Sequence, residues 1–192
     1  MNERVIESER LVERFQRGDE KAFDELVSAW DGPLFALTDR LLGDREEAEE
    51  ARQASWVKVY LGLAGFERRS RFDTWLFRIA VHQCRDQSRR RLLEARRRVE
   101  LIDSESFEDP ALSPDVAAER EEQRERVALA ICSLPEEERE CLVLRHYHDL
   151  PVVEIAAALG LPRTTVQSRL KRAFERLQRR LRSVSLRTED TR

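Results

Sequence analysis

Residues 159–172 read Leu-Gly-Leu-Pro-Arg-Thr-Thr-Val-Gln-Ser-Arg-Leu-Lys-Arg, and this stretch indicates the fold more clearly than any other. Gly160 can adopt the left-handed conformation that ends a helix, and Pro162 prevents that helix from continuing. Apolar residues at helical spacing before the turn predict a short first helix. The apolar residues Val166, Leu170, Phe174, Leu177 and Leu181 predict one buried stripe on a longer second helix. The pattern is that of a helix-turn-helix.

The second helix of this pair carries polar and basic side chains on the faces that its apolar stripe leaves free. In a helix-turn-helix these side chains enter the major groove, where Arg and Gln read base edges and the others contact phosphates. Residues 163–182 hold eight basic residues against Glu175 alone, which is the charge density of a phosphate-binding surface. The alternative is a helical hairpin with a solvated basic face. The residues that we predict to bind duplex DNA are Arg163, Thr164, Thr165, Gln167, Ser168, Arg169, Lys171 and Arg172.

Charge is distributed unevenly along the 192 residues, although the net charge is only −3. Residues 85–98 carry seven arginines against two acidic residues, whereas residues 100–122 carry nine acidic residues against Arg120. The acidic stretch contains two prolines and little apolar periodicity, which predicts a flexible linker. Glycine and proline are scarce elsewhere and no alternating β-type run occurs, so we predict an all-α protein with two small helical domains. The expected limits are a first domain over 1–98, an acidic linker over 99–120, a second domain over 121–182 and a disordered tail over 183–192.

Composition argues against several other classes of protein. No apolar run approaches the length of a membrane span, and the charged N-terminus does not resemble a secretion signal, so we expect a cytoplasmic protein. Cys84, Cys132 and Cys141 show neither disulfide nor zinc spacing and are expected to be buried thiols. His146 and His148 are two residues apart and do not share a helix face, so we expect them to contact water while Tyr147 packs. We expect no catalytic residue, no metal site, no cofactor and no enzyme activity.

The first domain shows the start and stop signals of four helices before residue 61. Asp19 can cap the second of them, and Asp31-Gly32-Pro33 is expected to break it. A third helix should stop at Gly43, and Asp44 with Glu47 resembles a capping box that starts a fourth. This fourth helix should run to about Tyr60, with Ala48, Trp56, Val57 and Tyr60 as its apolar positions.

Aromatic residues and arginines alternate between residues 66 and 85. Such a pattern can bind single-stranded nucleic acid, with rings stacked on bases and arginines along the backbone. Trp75, Phe77 and Ile79 lie at spacings that face other helices, so we expect them to be core residues. The loop over 67–71 is too polar for a core and is the better candidate for base capture.

At this point five stretches, in order, resemble the extracytoplasmic-function group of sigma-70-type sigma factors, the dissociable subunits by which bacterial RNA polymerase selects promoters. The stretches are residues 18–23, 41–49, 72–80, 134–139 and the helix-turn-helix, and together they span most of residues 11–182. The resemblance implies that the first domain is similar to sigma region two and the second to sigma region four. It also implies core RNA polymerase and promoter DNA as partners, commonly with an anti-sigma factor.

The resemblance assigns roles to particular residues. Region two would bind the unpaired minus-ten strand through Phe66, Arg68, Arg69, Ser70, Arg71, Phe72, Arg78, His82 and Arg85. It would dock on the polymerase clamp through Asp44, Glu47, Glu50, Gln53, Trp56 and Val57. Region four would bind the minus-thirty-five duplex through the helix-turn-helix. The docking helix departs from the family's usual Asp-Leu-Val-Gln-Glu, because this chain has Glu-Ala-Arg-Gln-Ala at 50–54.

A helix-turn-helix regulator that binds duplex DNA without polymerase is the alternative function. It would need only residues 121–182, so the matches before residue 100 argue against it.

Overall fold

The structure is a computed structural model that describes residues 3–99 and 126–189. Most of the predicted linker over 99–120 lies outside the described residues. Within them the chain has eight helices and no strand, which confirms the all-α prediction. The helices are α1 (Glu3–Gln16), α2 (Lys21–Leu42), α3 (Arg45–Leu63), α4 (Phe72–Val99), α5 (126–132), α6 (Glu136–His146), α7 (Val152–Leu159) and α8 (Arg163–Glu189). We call α1–α4 the first bundle and α5–α8 the second bundle.

Helix α2 runs through Asp31-Gly32-Pro33, so the predicted break there is wrong. Pro33 lacks the N–H of one helical hydrogen bond, a local cost of about 3 kcal/mol. The buried stripe over Leu26, Trp30, Leu34, Leu37 and Leu41 continues across the proline, and packing of that stripe offsets the cost. The helix ends at Gly43, as predicted, because this residue takes the left-handed conformation with φ of 70°.

The first bundle is built around aromatic rings. Trp30 contacts Phe72 and Phe77 edge to face, with ring centroids 6.3 and 5.8 Å apart. The indole N–H of Trp30 donates to the Ser8 hydroxyl of α1 at 2.7 Å, so its polar atom is satisfied inside the core. The expectation that Phe77 belongs to the core is confirmed.

The helix-turn-helix forms from α7 and α8. Gly160 has φ of 66°, and the Leu161 N–H donates to the Ala156 carbonyl at 2.9 Å, which closes the turn after α7. Val166, Leu170 and Ala173 are buried, whereas Phe174 is exposed and contacts the His146 ring edge to face. The buried stripe therefore passes through Ala173, and the prediction for Phe174 is wrong.

Helix α8 also extends beyond the predicted end of the second domain. It continues to Glu189, so a disordered tail from residue 183 is wrong for residues 183–189. This segment contains neither glycine nor proline, and nothing in it stops an established helix.

The two bundles pack against each other, and their buried residues form one continuous apolar cluster. The His148 ring lies 4.5 Å from the Phe77 ring, and the Arg40 guanidinium lies over the Tyr147 ring at 4.1 Å. Tyr147 is exposed and His148 is half-buried, whereas the sequence predicted that Tyr147 packs and that His148 contacts water. The reason is tertiary, because α2 and α4 of the first bundle cover the end of α6.

The three cysteines are free thiols, with Cys84 and Cys141 buried and Cys132 half-buried, in line with the prediction. Burial raises the pKa of the Cys141 thiol to about 11 and raises that of Cys84 further. Among the described helices none is long and apolar enough to cross a membrane.

Candidate nucleic-acid interface

The first turns of α8 present one polar and basic face away from the core. Its exposed positions recur every four residues, so they lie on one side of the helix, opposite Val166 and Leu170. Thr165 is half-buried, and its carbonyl accepts a hydrogen bond from the Ser168 hydroxyl at 2.9 Å. The exposed residues of this recognition face are Arg163, Thr164, Gln167, Ser168, Lys171 and Arg172.

Arg169 does not belong to this face. Its side chain is only 12% exposed, and its guanidinium donates to the Glu137 carboxylate of α6 at 2.8 Å. The predicted base contact by Arg169 is therefore not supported: residue 169 flanks the apolar stripe and faces the acidic start of α6, where it ties the two helices together.

The loop after α3 borders a cavity of about 220 Å³ at the surface of the first bundle. The Phe66 ring stacks on the Trp75 ring, with centroids 4.7 Å apart, and forms one wall. A methyl group on Gly62 would lie 3.1 Å from Trp75, so the glycine permits this close approach. The other lining residues are Gly65, Glu67, Arg69, Ser70 and Arg78.

The predicted strand-binding aromatics differ in their placement. Phe72 is 0% exposed and lies against Trp30 and Phe66, so the structure does not support a base contact by this ring. Phe66 is mostly buried but lines the cavity. A ligand in the cavity could therefore contact only the part of the ring that faces it. Trp75, which the sequence assigned wholly to the core, lines the same cavity and is half-buried.

Two residues of α1, Gln16 and Glu13, hold the loop in place, and no sequence pattern marks either of them. The Gln16 side-chain amide donates to the carbonyls of Leu63 and Phe66 at 3.2 and 2.9 Å. The Arg68 guanidinium donates to Gln16 at 3.0 Å and to Glu13 at 2.5 Å. Arg68 also has φ of 55°, a backbone conformation that these contacts help to fix. Partners about fifty residues apart leave no local signal in the sequence.

The remaining predicted strand-binding residues divide into exposed and paired side chains. Arg69, Arg78 and His82 are exposed. Burial, followed by the nearby charges of Arg85 and Arg78, lowers the pKa of His82, which favours the neutral ring.

Arg69 is exposed although it pairs with Glu67 at 2.6 Å, whereas Arg71 and Arg85 are half-buried and their partners include glutamates of the second bundle. Arg71, which directly precedes α4, binds Asp73 of that helix and Glu154 of α7, the latter at 2.9 Å. Arg85 forms two hydrogen bonds of 2.6 Å with both carboxylate oxygens of Glu140.

The predicted polymerase-binding residues lie on α3 and at its start. The Asp44 carboxylate accepts the Glu47 N–H at 2.9 Å, as the capping prediction required. Glu47 pairs with Arg91 at 3.2 Å, and Glu50 accepts from the Gln87 amide at 2.9 Å. Gln53 is exposed beside Glu49.

Trp56 and Val57 behave differently. Trp56 is buried and donates its indole N–H to Asp31 at 2.8 Å, so it supports the α2–α3 packing and is not a surface contact. Val57 is 59% exposed, and Tyr60 and Leu61 beside it are exposed as well. Of the predicted apolar positions of this helix, Val57 and Tyr60 are thus exposed, although the Tyr60 ring contacts Phe15 and Phe23, and α3 carries an apolar surface there.

The unusual residues of segment 50–54 are explained by their contacts within the first bundle. Ala51 is buried against the neighbouring helices, and the Arg52 guanidinium binds Asp31 of α2 and Glu49 of its own helix. Arg52 therefore serves the contact between α2 and α3.

Within the described residues no group of three or more His, Cys, Asp and Glu side chains is placed to hold a metal ion.

Two family models match the chain. The model described as Sigma-70 region 2 matches residues 26–93, and the model described as Sigma-70, region 4 matches residues 124–177. Among curated proteins, the chain is 37% identical over 186 residues to the RNA polymerase sigma-H factor of Pseudomonas aeruginosa, covering 91% of this chain and 94% of the relative. It is 34% identical over 181 residues to the ECF RNA polymerase sigma-E factor of Escherichia coli, covering 89% of this chain and 92% of the relative.

Two solved structures are similar over most of the chain. One is CnrH in complex with the cytosolic domain of CnrY, with a TM-score of 0.68 and 26% identity over 92% of this chain and 98% of that chain. The other is the sigma factor RpoE in complex with the anti-sigma factor NepR from Bartonella quintana, with a TM-score of 0.68 and 25% identity over 84% of this chain and 98% of that chain.

Proposed function

The chain belongs to the extracytoplasmic-function group of the sigma-70 family, and from this premise we propose which of its surfaces carry the steps of promoter recognition. As a sigma factor it directs core RNA polymerase to specific promoters at the start of transcription. We place this activity in the cytoplasm, where polymerase and promoter meet, and assign the chain no catalytic step of its own.

The duplex element of the promoter is bound, in this proposal, by the recognition face of α8. The observation that carries the assignment is the row of exposed polar and basic residues opposite the buried stripe, at the start of the second helix of a helix-turn-helix. Gln167 can make a paired hydrogen bond to an adenine edge, and Lys171 and Arg172 can contact phosphates or guanine. Arg169 does not contact DNA in this proposal; it binds Glu137 of α6 and so holds α8 against α6.

The experiment for this face compares two glutamines of α8. Gln167→Ala should lower run-off transcription from promoters with a duplex upstream element about tenfold, because one good base contact contributes roughly 1–3 kcal/mol. Gln178→Ala removes the same side chain at an exposed position eleven residues further along α8 and should leave transcription unchanged. Equal activity of the two variants would remove α8 from duplex recognition.

The unpaired strand is bound, in this proposal, along the cavity beneath the loop after α3. A cavity of about 220 Å³ walled by Phe66 and Trp75, with Arg69, Ser70 and Arg78 at its rim, suits one flipped base with its phosphates. Arg85 and Arg71 continue the basic path beyond it, and His82 adds a neutral polar ring. We assign this role to residues of the first domain, 1–98.

A strand-opening assay tests this cavity separately from duplex binding. Arg78→Ala should reduce permanganate reactivity of promoter thymines while the polymerase still forms closed complexes, because the lost contact exists only with unpaired bases. Arg17→Ala changes an exposed arginine in the turn after α1 and serves as the control. Normal strand opening by Arg78→Ala would contradict the assignment.

Core polymerase is bound, in this proposal, by the exposed side of α3. Asp44, Glu50 and Gln53 offer acidic and polar groups there, and Val57 with Leu61 adds an exposed apolar surface. Exposed apolar patches of this kind mark protein interfaces. Val57→Asp should weaken core binding, measured by native gel shift, without lowering the melting temperature of the free chain.

An anti-sigma factor is a further partner that we propose. One of the two similar solved structures is the sigma factor RpoE in complex with the anti-sigma factor NepR, the other is CnrH in complex with the cytosolic domain of CnrY, and the likeness covers both bundles of this chain. The alternative of a regulator that acts without polymerase explains only the second bundle.

A further inference from the structure

A buried glutamate of α6 lies between two arginines of α8. Glu138 is 5% exposed, with its Oε1 atom 3.3 Å from Nε of Arg172 and its Oε2 atom 3.0 Å from Nε of Arg176. The two arginines are four residues apart, so they lie one turn apart on the same side of α8. Because Arg172 belongs to the recognition face, Glu138 lies at the border of the surface that we propose for duplex DNA.

Both arginines keep donors for a second anion. Their side chains are 54% and 50% exposed, and the nitrogen nearest to Glu138 is Nε in each. The buried Oε2 atom of Glu138 accepts no well-aligned hydrogen bond from the described groups, so charge attraction holds Arg176 beside it. A guanidinium has five N–H donors, and its two terminal nitrogens can still bind a phosphate. One carboxylate shared by two arginines also leaves this cluster positively charged.

Packing alone does not explain a charged residue at position 138. Cys141 and Leu142, three and four residues further along α6, are buried, so residue 138 belongs to the buried side of this helix. Replacing buried ion pairs by apolar side chains is often neutral or stabilising, because the charges no longer have to leave water. The helix dipole favours acidic residues in the first turn, but the exposed Glu136 and Glu137 already provide them. The buried charge therefore points to a role other than stability.

We infer that Glu138 is a positioning residue for duplex DNA: it holds the guanidiniums of Arg172 and Arg176 at the edge of the recognition face, where both contact backbone phosphates. This inference rests on the proposed binding of duplex DNA by α8. A flexible arginine loses rotamer freedom when it binds a phosphate, and a side chain that is already held in place loses less. Phosphate contacts fixed in this way also set the register in which Gln167 reaches the bases.

This role gives Glu138 an effect on DNA binding that is opposite in sign to simple repulsion. A negative charge beside DNA repels the phosphates, so removing a charge that acts only at a distance should strengthen binding. Removing a charge that holds two phosphate-binding arginines should weaken it. The sign of the change in affinity therefore distinguishes the two roles.

The test measures the affinity of the full chain for a short, fluorescein-labelled DNA duplex of mixed sequence, by fluorescence anisotropy at low salt. Glu138→Gln should bind the duplex about fivefold more weakly than the parent chain, because two rotamer-rich side chains must then be ordered on binding. The control is Glu175→Gln, which removes an exposed acidic charge from α8 itself. This control should bind as tightly as the parent chain or up to about twofold more tightly.

Two further variants separate positioning from folding. Glu138→Leu should keep the melting temperature of the parent chain, since an apolar side chain fills the same buried place, yet it should also lose about fivefold in affinity. In a chain that carries Arg172→Ala and Arg176→Ala, Glu138→Gln should no longer weaken binding, because the residues through which it acts are gone.

Three outcomes overturn the inference. They are unchanged or tighter binding by Glu138→Gln, parent-like binding by Glu138→Leu, and an equal loss of affinity through Glu138→Gln in the chain without the two arginines. Failure of the parent chain to bind the duplex would count against the proposed function of α8 and with it against this inference. Failure of the Glu138 variants alone would leave duplex binding by α8 in place.

Discussion

His148 lies where the two bundles meet, and its protonation makes the stability of the folded chain depend on pH. Its ring lies against Phe77, and its buried Nε2 has no hydrogen-bond partner among the described groups. Burial, followed by the charge of Arg40, lowers its pKa to about 4, while Asp149 acts weakly in the opposite direction. Arg4, Arg71 and Asp73 line the same cavity between the bundles.

We expect acid to destabilise the folded chain through His148. A histidine with a folded pKa of about 4 and an unfolded pKa near 6.5 binds more protons when unfolded, so its contribution to stability is present above pH 6.5 and is lost as pH falls toward 4. At pH 5.5 the loss should be about 1 kcal/mol. Urea unfolding at pH 7.5 and 5.5 should show this difference in the parent chain and a smaller one in His148→Gln. The same pH slope in both proteins would mean that His148 is not the group responsible.

Gln16 is a positioning residue for the strand-binding loop. Gln16→Ala loses two hydrogen bonds to loop carbonyls and one from Arg68, which together should release the loop at a cost of about 1–2 kcal/mol. We expect weaker promoter opening by permanganate footprinting with core binding unchanged. Gln16→Glu keeps the acceptor for Arg68 but loses the donors, so it should be intermediate. Full opening by Gln16→Ala would show that the loop holds its shape without α1.

At the scale of elements, the sequence predicts helix ends that neighbouring residues determine by themselves, but not features that depend on packing between distant segments. Gly43 and Asp44 end one helix and start the next through their own backbone and side chain, so the sequence predicts both. Pro33 is an equally local signal, yet the buried stripe of α2 overrides it. Arg169 illustrates the same limit in the site, because only the packing of α6 against α8 turns a basic residue of the recognition helix inward.

The junction between α2 and α3 should be unusually sensitive to a single methyl group. Gly43→Ala suffers both a left-handed backbone and a contact of 2.8 Å with the Cys132 sulfur. Gly18→Ala is the matched control, since Gly18 has φ of 97° but nothing within 4 Å of the added carbon. In urea unfolding, Gly43→Ala should lose about 1–2 kcal/mol more than Gly18→Ala, from overpacking. Adding Cys132→Ala should recover that excess, and equal losses in the two glycine variants would count against tight packing of the bundles.

At the scale of the whole molecule, the sequence predicts two helical units and their order but not their contact. Glu140 and Glu154 are ordinary acidic residues of short helices, and only the fold places them on arginines 55 and 83 residues away. Exposed and paired arginines look alike in the sequence. The recognition face of α8 remains exposed in the packed molecule, whereas the strand-binding path is partly covered.

Promoter-specific initiation by the purified chain and core RNA polymerase is the most direct test of the account. Run-off transcription on genomic fragments should yield discrete transcripts that require this chain. The amount of transcript should fall with Gln167→Ala, through weaker duplex recognition, and with Arg78→Ala, through weaker strand opening. The transcripts of Gln178→Ala and Arg17→Ala should match those of the parent chain. The assignment of these surfaces is contradicted if the chain binds core polymerase yet adds no discrete start site on any fragment. It is also contradicted if Gln167→Ala and Arg78→Ala give as much transcript as their controls Gln178→Ala and Arg17→Ala.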